Sequence, residues 1–197
     1  MSLPPLSETL KSDESRDSPL AQSLATLFEP SEILYNRVVP ALVPNLSSYK
    51  SYKDLIDAST TQISQLPLAD QADFIGGHPR IGEVSGLSAL SAAEQASKAT
   101  PPAVLKRLKH LNMLYEKKYP GLVYITFVAG RSRAQIIPEM ESVLSIDGAE
   151  EGKEDEPAVE TIRSVEVGGE EWKGELNRAV VDVGRIAKSR LEKMGVE

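Results

Sequence analysis

The 197 residues are 41% apolar and 5% aromatic, contain no cysteine and carry a net charge of −7. A chain of this length can build one ordinary hydrophobic core. The missing cysteines exclude a disulfide framework, a thiolate nucleophile and a zinc-finger site. The charge is local: residues 147–156 hold six acids against Lys153, and residues 1–17 hold four against Lys11 and Arg16. The remainder is close to neutral, so no basic surplus points to nucleic acid as a partner. No apolar run approaches about 18 residues, so no membrane-spanning helix is expected.

Residues 1–17 are polar, with Pro4-Pro5 near the start. They are expected as a flexible or loosely docked N-terminal arm, followed by a helical domain over 18–197. From Pro19 the pattern turns helical, with Leu20, Leu24, Leu27 and Phe28 on one face. Ser31 is placed to cap a second helix over 32–43, kinked by Pro40 and closed by Pro44-Asn45. A third helix is predicted over 52–65 with Leu55, Ile56 and Ile63 inward. Pro67 suits the first turn of a fourth, short helix, ended by Gly76-Gly77 in the left-handed conformation.

A fifth helix is predicted from Ser91 to about Ala99. Thr100 and Pro101 read as N-cap and first position of the next, whose Leu108, Leu111, Leu114 and Tyr115 recur at helical spacing. Residues 122–128, LVYITFV, form the one strand-like run. With no partner strand in view, it is expected as a buried extended segment. Ser132 to Gln135 fits a capping box that opens a helix to about Leu144. The acidic stretch with Gly and Pro near 147–169 reads as a loop insertion, solvated by default. A last helix is predicted over 171–194. The sum is an all-α bundle of seven or eight helices.

Few residues are suited to chemistry. His78 is one of two histidines, and its side chain titrates near neutral pH. It follows Gly76-Gly77, and Pro79 restricts it to extended backbone. It is either a structural turn histidine or a group aimed for proton transfer. His110, inside a helix, is expected as a surface or helix-packing histidine. Ser91-x-x-Glu94 is a capping-box pattern, and Glu94 can serve as cap, as functional carboxylate, or as both. Leu176, Ala179, Val183, Ile186 and Arg190 follow one helical stripe. Arg190 continues it, either snorkelling past the helix end or binding an anion with its planar fork. Two histidines 32 apart give no metal-site spacing.

These residues form an ordered series: His78-Pro79-x-Ile81-Gly82, Ser91-x-x-Glu94-Gln95, Arg107-Leu108-x-x-Leu111-Asn112-x-x-Tyr115, Val128-Ala129-Gly130-Arg131-Ser132, and Asp182-Val183-x-Arg185-Ile186-Ala187-x-x-Arg190-Leu191. The chain, over about residues 24–191, resembles the 2-oxo-4-hydroxy-4-carboxy-5-ureidoimidazoline (OHCU) decarboxylase family, whose enzymes complete the urate-to-allantoin route. The resemblance implies an all-α carboxy-lyase that needs no cofactor and no metal, is often a homodimer, and converts the small molecule OHCU to (S)-allantoin. By the same resemblance, His78 and Glu94 match the catalytic His and Glu, and Arg190 matches the substrate-holding Arg. Pro79, Ser91 and Gln95 match further pocket positions. Ile125, Thr126, Phe127 and Val128 match the segment whose backbone meets the substrate ring.

The chain departs from the family pattern at Tyr119-Pro120-Gly121-Leu122-Val123-Tyr124, where a Phe-rich stretch is usual, and in its acidic insertion. The other functional class consistent with the sequence is a catalytically inactive helical interaction module that retains the fold. The N-terminus lacks signal-peptide regions and the C-terminus is not of the Ser-Lys-Leu type. Together with the lack of cysteine, this leads us to expect an intracellular protein, in peroxisome or cytoplasm.

Overall fold

A computed structural model describes residues 2–83, 100–148, 150 and 152–196. Among these the chain is all-α, as its periodicities require, with no strand. Its contacts divide it into two compact units, Met1–Gly77 with Leu176–Glu197, and His78–Glu175.

The first unit opens with α1 (Leu6–Thr9) and α2 (Pro19–Phe28). Ser18 caps α2 and Pro19 takes its first position, where a missing N–H costs nothing. In the N-terminal arm, expected as flexible or loosely docked, anchoring contacts are made at Pro4 and Thr9. Thr9 is fully buried, and Tyr52 donates its phenol to the Pro4 carbonyl at 2.6 Å and lies 2.8 Å from the Thr9 hydroxyl. The polar composition of this segment hides that anchor, because its partner is a tyrosine 43 residues away.

Ser31 caps the next helix through its hydroxyl, which accepts from Leu34 N at 3.1 Å. This helix is irregular around Pro40 and does not end at Pro44-Asn45 as expected. A π-helical turn over Leu34–Val38 precedes α3 (Val39–Leu42), and a 3-10 turn over Val43–Ser48 carries the chain past Pro44. Pro40 cannot donate to the carbonyl four residues back and would crowd it; the wider π turn relieves that clash. Then α4 (Tyr52–Gln65) begins with a full capping box between Ser51 and Asp54, and α5 (Leu68–Gly76) follows Pro67 as its N-cap. Gly77 ends α5 with a right-handed φ of −74°, so left-handed freedom is not what stops the helix. The positive φ appears further on, at Gly82.

The second unit is organised by α6 (Pro102–Lys118), whose N-cap is Pro101, one residue later than the sequence suggested. Residues 122–126 run through its core without helix or strand pairing, each under one-tenth exposed. Then α7 (Arg133–Leu144) opens on the expected Ser132–Gln135 capping box. Finally α8 (Glu170–Lys193) begins in this unit and continues into the first.

Each long face of α6 has a distinct use. Leu111, Leu114 and Tyr115 are fully buried, and Tyr115 meets Tyr124 edge-on at 5.3 Å. Arg107 pairs with Glu141 of α7 at 2.7 Å, both side chains buried. The same guanidinium donates to the Glu154 and Glu156 carbonyls, while His110 Nε2 meets the Pro157 carbonyl at 2.7 Å. Lys106 pairs with Glu154 at 3.4 Å and Asp155 at 3.5 Å. The acidic insertion is therefore strapped along α6 rather than simply solvated. Of the two expectations for His110, packing holds: it is buried beneath that strap.

Candidate active site

The sequence-predicted residues fall in three local arrangements. Ser91, Glu94 and Gln95, with the fifth predicted helix, lie outside the described residues.

His78 and Pro79 are both half-buried and lead into a tight turn. Glu83 N donates to the Arg80 carbonyl at 3.1 Å, and the Glu83 carboxylate accepts from Arg80 N at 3.0 Å. Gly82 occupies the third turn position with φ +84°, as a type II turn demands. A Cβ there would also lie 3.2 Å from the Leu108 side chain. Asn112 Nδ2 donates to the Ile81 carbonyl at 3.0 Å. Arg80 forks onto Glu116 at 2.5 and 3.1 Å, which raises the pKa of its guanidinium. The turn after His78 is thus fixed to one helix at successive points.

Ile125 and Thr126 are buried, while Phe127 and Val128 are half-buried. The segment is held by a carboxylate that periodicity did not flag. Glu139 Oε1 accepts from Tyr124 Oη at 2.6 Å and from Thr126 Oγ1 at 2.7 Å, and Arg131 pairs with Oε2. Arg131 also donates to the Phe127 carbonyl at 2.6 Å and the Val128 carbonyl at 2.9 Å. Burial pushes the Glu139 carboxyl up, but the Tyr124, Thr126 and Arg131 donors outweigh it and leave it below its ordinary value. Ala129 and Gly130 close this segment at φ +51° and +79°, a conformation that strains Ala129. Residues 124 and 126 lie two apart, so both side chains leave an extended run on the same side and reach one acceptor.

Arg190 does not snorkel to solvent: its side chain is 4% exposed. Nη2 donates to Glu29 Oε1 at 2.7 Å and Nη1 to the Leu27 carbonyl at 3.1 Å. Glu29 is itself buried and sits at φ +72°, just past the end of α2. That conformation is uncommon for a residue with a Cβ, and it directs the end of α2 toward Arg190. Glu29 was not singled out from sequence, since 161 residues separate it from Arg190. A guanidinium held flat by a carboxylate and a carbonyl has a defined plane, which suits directional recognition of an anion or carbonyl.

A family model for OHCU decarboxylase matches residues 14–165. The chain belongs to the OHCU decarboxylase family. No curated protein and no solved structure matches it. The span matched to the OHCU decarboxylase family contains the His78 turn, its anchors on α6, and the 122–131 segment with Glu139. It also contains Glu29, but stops before α8 and Arg190. No helix among the described residues is long and apolar enough to cross a membrane.

Proposed function

We propose that the protein is a carboxy-lyase that decarboxylates OHCU to (S)-allantoin without a cofactor. The observation that carries this reading is the fixed His78-Pro79 turn within the span shared with the OHCU decarboxylase family.

The substrate explains why no cofactor is needed. Its carboxylate leaves from a carbon that also bears a hydroxyl and adjoins a C=N bond. The C–C bond breaks, CO2 departs, and the electron pair passes through the adjoining C=N to the ring nitrogen. The hydroxyl then releases its proton as its carbon becomes a carbonyl. The ring nitrogen takes up a proton, and the ureido-bearing carbon takes another on one face, which sets the (S) configuration. The protein must therefore orient and desolvate the carboxylate and manage the proton leaving the hydroxyl and those reaching nitrogen and carbon.

In this reading His78 contacts the hydroxyl or carboxylate and acts as base or orienter. Glu94 pairs with His78 or the ureido group and takes part in proton transfer. Arg190 anchors an anionic or carbonyl edge and offsets developing charge. Ser91, Gln95 and Pro79 fix the ring, as does the backbone of Ile125, Thr126, Phe127 and Val128.

Freshly generated OHCU, followed by the optical signal of (S)-allantoin, tests the proposal. The wild-type protein should accelerate the signal well above the spontaneous reaction, and His78→Ala should abolish the acceleration. A folded wild-type protein that adds nothing to the spontaneous rate would instead support a non-catalytic interaction module. Substituting Arg190→Lys should raise KM or lower kcat; if both stay unchanged, Arg190 is not the anchor.

A further inference from the structure

We infer that Asn112, with Glu116 as its outer support, is a positioning residue for His78. This rests on the catalytic role proposed for His78.

Leu108, Asn112 and Glu116 are spaced by four, so they form one stripe along α6. Each grips a different part of the segment after His78. Glu116 takes the Arg80 guanidinium, Asn112 takes the Ile81 carbonyl, and Leu108 packs so close to Gly82 that an added Cβ would lie 3.2 Å from it. The turn is thus docked at three consecutive residues, beginning two after His78. Pro79 lies between and transmits the constraint, because it holds its own φ and limits the backbone of His78.

Asn112 is the decisive member. It is 5% exposed, and its Oδ1 is buried with no hydrogen-bond partner. An unpaired buried oxygen costs free energy. An apolar residue of similar volume would avoid that cost and pack against the same helix. The amide's one compensating bond among the described residues is its donation to the Ile81 carbonyl. Asn112 is therefore locally unfavourable, and the interaction that accounts for it is the hold on the turn that aims His78. Such mismatches between local stability and residue choice occur where position matters more than packing.

The test compares the full-length wild type with Asn112→Leu, Glu116→Gln and His78→Gln. Steady-state turnover of fresh OHCU is one readout. The other is the ring-proton NMR titration of the two histidines, assigned by the loss of one signal in H78Q. N112L should remain folded, since it removes no other bond. It should lower kcat about 10- to 100-fold with a much smaller change in KM, the expected result of misplacing a catalytic group. It should also shift or broaden the His78 resonance while leaving His110 in place. E116Q, at a half-exposed site, should give the same pattern at about 2- to 5-fold and keeps the inference testable if N112L misfolds.

An H78Q protein as active as wild type overturns the proposed function and this inference with it. An inactive H78Q beside an N112L of normal kcat and undisturbed His78 resonance overturns the inference alone. A general loss of stability would move both histidine signals and leave the remaining active fraction with normal kcat, and that outcome too counts against Asn112.

Discussion

Arg190 and Glu29 meet at 2.7 Å inside the protein, one from α8 and the other at the end of α2, with side chains 4% and 7% exposed. The contact joins the C-terminal helix to the N-terminal part of the same unit. It also offsets the Arg190 charge with a carboxylate inside the protein.

Replacing Glu29→Gln keeps the shape but removes the carboxylate charge that Arg190 meets at 2.7 Å. Removing one partner of a buried pair typically costs about 3–5 kcal/mol, and we expect a loss near the lower end because the amide oxygen still accepts. Urea denaturation of E29Q measures it. A loss below about 0.5 kcal/mol, the scale of an exposed pair, would show that the pair is not structurally important.

Glu139 makes a prediction in pH. Its folded carboxyl titrates below its ordinary value of 4.5, so the ionised form is favoured in the native state. The stability it contributes is complete above the unfolded value and is lost as pH falls through the folded one. The difference in unfolding midpoint between wild type and Glu139→Gln should therefore be constant above about pH 5.5 and shrink below pH 4.5. A difference that grows on acidification would contradict the assignment of Tyr124, Thr126 and Arg131 as donors to a carboxylate.

Gly184 of α8 faces Thr60 of α4 so closely that a Cβ would lie 2.8 Å from the hydroxyl and 3.1 Å from the methyl. The Thr60 hydroxyl donates to the Ile56 carbonyl at 2.8 Å, which holds the rotamer. Alanine is a better helix former than glycine by about 1 kcal/mol, yet Gly184→Ala should destabilise by overpacking, by about 1–3 kcal/mol. Adding Thr60→Ala should recover most of the loss. Thermal melts of the single and double variants decide this, and additivity of the two changes would rule out the contact.

Arg107 ties the acidic insertion to α6 and also neutralises Glu141. Arg107→Met should release residues 152–157, seen as faster proteolytic cleavage there, and should lower stability by about 3 kcal/mol through the orphaned Glu141. Unchanged cleavage would show that His110 and Lys106 hold the strap unaided.

Local pattern was enough for much of the chain. The third helix was legible to the residue, because Leu55, Ile56 and Ile63 keep its period. The capping box at Ser132 and Gln135 was equally legible. The form of the helix around Pro40 was not legible, since periodicity does not reveal a π turn. Gly77 misled, since it ends α5 without left-handed geometry.

The sequence by itself determined the all-α class, most helix boundaries, and which rare residues could carry proton or anion chemistry. Those are short-range properties, set by periodicity, caps and side-chain type. Only the tertiary structure decided what holds those residues. Asn112 beneath Ile81, Glu139 beneath Thr126 and Glu29 against Arg190 are each separated by 13 to 161 positions. No local rule links such pairs; they exist because a buried polar group must find its partner wherever the folded chain brings one.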